Sequence, residues 1–220
     1  MSCWVRQTIA ALTAFMLQGV PCVLAAPHGS PRVLASEELI ARALSSGEMK
    51  QIEAGAVVTR PVRFQYDQRR YVGGVSYQLV KASPHEVLAA LVDVDRLAAI
   101  LPRTRSVRLV AAASHAAQFE LTQGNSLVQA QYGILLVRHS RDELRFWLDK
   151  GRPHDIEDVW GYFRAQRFDA DHTLMTVGVA LDLGPGIVRL LFEDHIQRLI
   201  LATPQRIRDV VEFPAVALAD

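Results

Sequence analysis

The period of the apolar positions changes several times along the chain, and each change predicts an element. From Ser36 the spacing is helical: Ser36-Glu-Glu-Leu-Ile-Ala-Arg-Ala-Leu44 opens on a capping serine with two acids in its first turn. Leu39, Ile40, Ala43 and Leu44 form the apolar stripe, and Gly47 is the predicted stop, giving a helix over residues 36–47. Residues 71–80 read as a strand. Ser83-Pro84-His85-Glu86 then supplies an N-cap, a proline for the first helical position and an early acid, which predicts a helix through Val92. Asp93 to Leu101 reads as a second short helix, ended by Pro102.

After Pro102 helical spacing disappears until Gly184. Phe119 and Leu121 alternate with Gln118, Glu120 and Thr122. Val128, Ala130, Tyr132, Ile134 and Leu136 share a face against Gln129, Gln131 and Gly133. Leu144, Phe146 and Leu148 oppose Glu143, Arg145 and Asp149, and Met175, Val177, Val179 and Leu181 oppose Thr176, Gly178 and Asp182. Side chains of a strand alternate between faces, so this pattern predicts an antiparallel sheet with one apolar concave face. Gln123-Gly-Asn-Ser126 and Asp169-Ala-Asp-His172 carry hairpin turn signals. From Ile187 to about Glu212 helical spacing returns, with Val188, Phe192, Ile196, Leu199, Ile207 and Val210 on one stripe. Arg189 with Glu193 and Asp194 with Arg198 are expected as i,i+4 pairs on the wet side, Pro204 as a kink, and Thr203 as the cap of the second segment.

The first residues read differently. A short start carrying Arg6 leads into an apolar run through Ile9-Ala-Ala-Leu12 and Phe15-Met-Leu17, a break at Gly19-Val-Pro21 and small residues at Val23-Leu-Ala25-Ala26. That order is the pattern of a secretory signal, expected to be cleaved after Ala25 or Ala26. The run is short against the roughly 20 apolar residues that a membrane helix needs. The predicted organisation is a signal peptide over 1–25, a linker over 26–35 rich in Pro, Gly and Ser, and one domain over 36–220 with its core at about 53–212. The expected location is the periplasm or the exterior. Cleavage would remove Cys3 and Cys22, leaving a mature chain without thiols, disulfides or cysteine ligands.

Charge narrows the partners. The chain has 24 basic and 23 acidic residues, and loss of Arg6 with the signal leaves 23 of each. No basic run beyond pairs such as Arg69-Arg70 is present, and nucleic-acid binding needs a patch that displaces counterions. None of the histidines stands in an HExxH or HxH spacing, so no zinc site is predicted. No Gly-rich phosphate loop and no G-x-S-x-G elbow occurs. Arg152-Pro-His154-Asp155 with Glu157 and Asp158 is the densest polar cluster; it reads as a solvated turn, or as a general base or weak cation site at a cavity mouth.

One strand, two short helices, a run of six strands and a long C-terminal helix resemble the START-like superfamily, which includes polyketide cyclases, plant pollen allergens and ubiquinone-binding proteins. The segments carrying the resemblance are Ala82-Ser-Pro-His-Glu-Val-Leu88, Asp93-Val-Asp-Arg-Leu97, Ile100-Leu-Pro102, Ser106-Val-Arg-Leu109, Gly161-Tyr-Phe-Arg-Ala165 and Val179-Ala-Leu-Asp-Leu-Gly-Pro-Gly186. The resemblance implies an α+β helix-grip fold, a curved antiparallel sheet of about six to seven strands wrapped around the long C-terminal helix, with an elongated cavity between them. The facing directions nominate Phe119, Tyr132, Phe146, Phe163, Met175, Val179, Phe192 and Leu199 as cavity lining; the same residues would equally serve as ordinary core. His195, within a turn of Phe192 and Leu199, is nominated to meet a ligand headgroup, and Tyr132 to offer a hydroxyl inside.

Three functions compete on these residues. The first is an exported, monomeric, cofactor-free carrier of a lipid, sterol or isoprenoid quinone, touching a membrane transiently through Leu190-Leu191-Phe192. The second is an enzyme of the cyclase or aromatase type, with Tyr132, His195 or His154 as acid–base groups. The third is a module whose groove takes a peptide.

Overall fold

The computed structural model describes residues 43–126 and 128–214. Within them the chain forms eight strands and five helices. A short helix, α1 (Ser46–Glu53), precedes two strands, β1 (Val58–Tyr66) and β2 (Arg69–Val80). Helices α2 (Pro84–Ala90) and α3 (Val94–Ile100) lead to β3 (Thr104–Ala113), β4 (Ala116–Gly124), β5 (Gln129–Ser140), β6 (Glu143–Leu148), β7 (Asp158–Arg167) and β8 (Thr173–Asp182). Helices α4 (Ile187–Leu201) and α5 (Thr203–Glu212) end the described chain. No helix among the described residues is long and apolar enough to cross a membrane.

All strands pair antiparallel in one curved, unclosed sheet of order β1-β2-β8-β7-β6-β5-β4-β3. The α2–α3 connection carries the chain from β2 to the far edge, and the meander then returns strand by strand until β8 lies beside β2. This return leaves α4 and α5 over the concave face. The start of α2 is fixed as predicted: Ser83 accepts from the Glu86 amide while the Glu86 carboxylate takes the Ser83 amide and hydroxyl. Such a box is worth about 1 kcal/mol. Asp93 caps α3 more simply, its carboxylate accepting from the Arg96 amide.

Four local expectations change. The sheet has one strand more than the alternation predicted, β1, whose Pro61 and arginines hide its period; an edge strand tolerates a proline because one side of it is unpaired. Residues 43–45 are not helical and Gly47, read as a stop, sits in the first turn of α1, whose N-cap is Ser45; most of the predicted helix 36–47 lies outside the described residues. The C-terminal helix does break at Ala202, but Thr203 caps nothing: its hydroxyl donates to the Ile200 carbonyl 2.6 Å away. Glu193 faces the sheet rather than water, and Asp194 pairs with Arg63 of β1 rather than standing over Arg198.

Helix α1 is pinned by charge as well as by Ile52. Its Glu48 carboxylate accepts from both Arg60 Nε, 2.9 Å away, and Arg60 Nη2, at 2.8 Å. These bonds first, and those from the Ser45 amide and hydroxyl next, take the Glu48 pKa from 4.5 to about 2. A carboxylate whose folded pKa is depressed stabilises the fold fully above its unfolded value and loses that contribution as pH falls through the folded one. The thermal midpoint of wild type should therefore fall more steeply than that of Glu48→Gln between pH 4.5 and about 2, the two curves converging at the acid end. Circular dichroism melts across that range read the difference, and parallel curves would refute it.

Candidate functional site

The concave face is packed at one end and open at the other. Val87, Leu88 and Leu91 on and just after α2, with Ile207 and Val210 of α5, close onto Val80, Ala165, Met175 and Val177 with almost no accessible surface. Under α4 the packing stops. A cavity of about 200 Å³ lies there between the sheet and the helix. Its floor is Leu121, Tyr132, Leu136, Phe146, Phe163 and Val179, its roof Ile196, Leu199 and Ile200, and its mouth Leu101, Pro102, Arg103, Gln123 and Val128. Val179 stands in the middle of a central strand yet is only partly buried, because it packs against the core on one side and borders the cavity on the other.

The space has local causes. Gly161 lies beside Val179 on β7, and the Phe146 ring leans over it; a Cβ there would come within 2.6 Å of Phe146 Cζ. Phe146 and Phe163 pack against each other at 5.1 Å between ring centroids and together form part of the floor. On the other side α4 is held off the floor by polar contacts to the edge of the sheet. Gln197 donates to the Gly73 carbonyl at 2.8 Å and the Val62 carbonyl at 3.1 Å, and its own oxygen accepts from Arg63 at 3.0 Å. The buried Glu193 takes Arg70 at 2.7 Å.

The polar side chains of the cavity are mostly tied to one another. The Tyr132 hydroxyl donates to Gln123 Oε1, and Gln123 Nε2 donates to the Pro102 carbonyl at 2.9 Å and to Thr104 Oγ1 at 3.2 Å. Burial pushes the Tyr132 pKa well above that of an ordinary phenol. At the mouth, Arg103 Nη2 meets His195 Nε2 at 3.3 Å, joining the α3–β3 turn to α4.

Of the nominated residues, Tyr132, Phe146, Phe163, Val179 and Leu199 line the cavity. Four do not. Phe119 and Met175 are 0% exposed: the alternation gave their face correctly, but they lie where the face is covered by packed side chains and have no surface to offer. Phe192 is 42% exposed, because α4 turns it outward rather than onto the sheet. His195 sits at the mouth and not inside, its ring directed at Arg103. Tyr132 does reach the cavity, with its hydroxyl already engaged by Gln123. The cluster around His154 splits up: Asp158 is buried in β7 and accepts from the Tyr71 hydroxyl at 2.8 Å, Arg152 pairs with Glu120, and His154 Nδ1 lies against the Ile156 carbonyl. No group of three or more His, Cys, Asp or Glu among the described residues is placed to hold a metal.

The fold is similar to that of solved structures. The STAR-related lipid transfer protein fragment from Xanthomonas axonopodis superposes with a TM-score of 0.55 at 14% identity, over 70% of this chain and 98% of that one. This is a START-like fold. The protein TTHA0849 from Thermus thermophilus is comparably similar, with a TM-score of 0.53 at 14% identity, over 66% of this chain and 98% of the other. The sequence matches no family model and no curated relative.

The sequence did not point to the mouth of the cavity. Leu101, Pro102 and Arg103 form the turn after α3, and Gln123 and Val128 flank the β4–β5 connection. Periodicity cannot nominate turn residues. The usable signal was positional: in a cavity between sheet and helix, the turn that ends α3 and the hairpin beside it must border the opening.

Proposed function

We propose that the protein is an exported, monomeric carrier that holds an apolar small molecule, of the lipid, sterol or isoprenoid quinone kind, between the sheet and α4. The observation that carries this reading is the cavity itself: apolar floor and roof, a few polar groups at one end, and a central-strand side chain, Val179, that stays partly accessible. Buried apolar side chains normally close-pack, so an unfilled apolar space beside an opening is a site rather than a core. The Xanthomonas protein of the same fold is named a lipid transfer protein, which agrees with the reading.

The volume sets a limit. Sites that bury a drug-sized ligand measure about 300–1,000 Å³, and this cavity is about 200 Å³. It takes a ring or a short length of chain, and a whole sterol enters only if α4 shifts. That helix is suited to shift: it is anchored by the Arg63, Arg70, Glu193 and Gln197 contacts and jointed at Ala202. Its outer side presents Leu191, 63% exposed, and Phe192, which would rest on a membrane while cargo passes.

One experiment reads these elements together. The protein is recovered from the periplasmic extract of its own cells, examined by native mass spectrometry, and tested with the neutral probe N-phenyl-1-naphthylamine. The expected species is a monomer lacking the first 25 or 26 residues, carrying an adduct released by organic solvent, and the stripped protein binds the probe. An uncleaved chain confined to the cytoplasm sinks export. Adduct-free protein that also ignores the probe sinks the carrier.

A further inference from the structure

The mouth of the cavity is built for one kind of headgroup. Among the polar side chains that border the space, Tyr132 and Gln123 satisfy each other, Gln123 Nε2 is shared between the Pro102 carbonyl and Thr104, and the Thr203 hydroxyl is held by the Ile200 carbonyl. Arg103 is different. Its guanidinium meets His195 Nε2 at 3.3 Å and no carboxylate among the described residues. Three other arginines close to the helical layer are matched, Arg63 with Glu193 and Asp194, Arg70 with Glu193 and Arg208 with Asp209, and of the arginines without a carboxylate partner among the described residues Arg103 is the one that lines the cavity.

The backbone holds Arg103 in place for this. Its φ is +52°, a left-handed conformation that a non-glycine residue adopts only when its surroundings impose it. The Gly124 amide donates to the Arg103 carbonyl at 2.8 Å and ties the turn to the end of β4. The side chain therefore borders the apolar cavity on one side. On the other it borders a surface groove that it shares with Arg206, where the carboxylate of Asp209 is already taken by Arg208 at 3.0 Å.

We propose that the ligand is an amphiphile with an anionic oxygen head, carboxylate or phosphate monoester, whose head forms a forked pair with Arg103 at the mouth in place of His195 while its apolar tail fills the cavity. A guanidinium presents two parallel N–H donors that match such a head, and a charged pair of this kind is stronger than a neutral hydrogen bond. The tail is short or ring-shaped, because a void of roughly 150 Å³ suffices for benzene and this one is about 200 Å³. The proposal rests on the carrier reading above and deepens it.

The test displaces N-phenyl-1-naphthylamine with octanoate, octyl phosphate and octanol, in wild type, Arg103→Gln and Arg103→Lys, with acetate and inorganic phosphate as head-only controls followed by calorimetry. Either anionic amphiphile should bind wild type about tenfold more tightly than octanol, a figure reduced for the exposure of the pair; the two anions compared tell which head is preferred. Arg103→Gln should bring both anions down to the level that octanol shows in the same variant. Arg103→Lys, which keeps the charge and loses the fork, should fall between. Equal binding of octanoate, octyl phosphate and octanol to wild type overturns the headgroup proposal and leaves the carrier standing, as does a glutamine variant that holds the anions as well as wild type. Acetate or phosphate binding as tightly as the amphiphiles overturns it in favour of a free-anion site. A wild type that binds neither the probe nor any octyl compound overturns the carrier and the headgroup together.

Discussion

Replacing Gly73 with alanine is expected to destabilise the protein by about 3 kcal/mol or more, the sum of an overpacking term and a backbone term. Gly73 pairs with Val62 of β1 on one side and with Ala180 of β8 on the other, so it stands where three strands are drawn together. Its φ is +156°, and a Cβ there would lie 1.9 Å from the Val179 carbonyl oxygen and 2.8 Å from the carbonyl carbon. Both are backbone atoms of a central strand, which cannot step aside as the end of a flexible side chain would. The Gly73 carbonyl also receives Gln197, so a displaced β2 loosens α4 as well. Gly47→Ala is the control, since a methyl there meets nothing within 4 Å and lies in a helix. Urea unfolding followed by tryptophan fluorescence should place the Gly73→Ala midpoint far below wild type and leave Gly47→Ala at or slightly above it. A loss smaller than about 1 kcal/mol at Gly73 would show that β2 and β8 can slide apart at little expense.

That strain-bearing glycine pair, Gly73 and Gly74, was read from the sequence only as part of a strand. The limits of such reading have a common physical origin. Alternation reports which face a side chain takes, and it placed Tyr132, Phe146, Phe163 and Val179 on the concave side, where they are. It does not report depth. Phe119 and Met175 share that face but lie under packed side chains, whereas Val179 lies under a void, and the difference comes from where α4 rests on the sheet. Helical spacing likewise predicted the segment from Ile187 to Glu212 and its break near Pro204, but assumed that apolar positions point inward. In α4 the inward positions include Glu193 and Gln197, while Leu191 and Phe192 face out. The inner side of α4 thus mixes Glu193 and Gln197 with Ile196, Leu199 and Ile200, and its outer side mixes Leu191 and Phe192 with Asp194 and Arg198, so hydrophobic spacing alone does not tell which side meets the sheet. The β1 strand was hidden by Pro61, and Arg103 by standing in a turn without any period.

The same difference in depth sets up the sharpest functional prediction, Val179→Trp, which should lower affinity for N-phenyl-1-naphthylamine at least tenfold while changing stability by no more than about 1–2 kcal/mol. Val179 is inward-facing on β8, with Gly74 of β2 and Gly161 of β7 as its register partners, so neither neighbour on the concave face has a side chain to clash with an indole. The only direction open to the ring is upward, into the cavity between Phe163 and the Leu199 side of α4. It would occupy the space that the ligand needs and meet a void on its cavity side, which is why the penalty usually attached to enlarging a core residue is reduced here. A tryptophan at 199 would not serve as well, because a helix residue beside the mouth can swing out to water, whereas a residue in the middle of a central strand cannot. The comparison that separates obstruction from unfolding is Met175→Phe, on the same strand and face but in the packed end of the sheet. It should lose stability and keep its affinity for the probe in the fraction that remains folded. Undiminished probe binding by a folded Val179→Trp protein would mean that the ligand does not occupy the space under α4, and the carrier reading would lose its site.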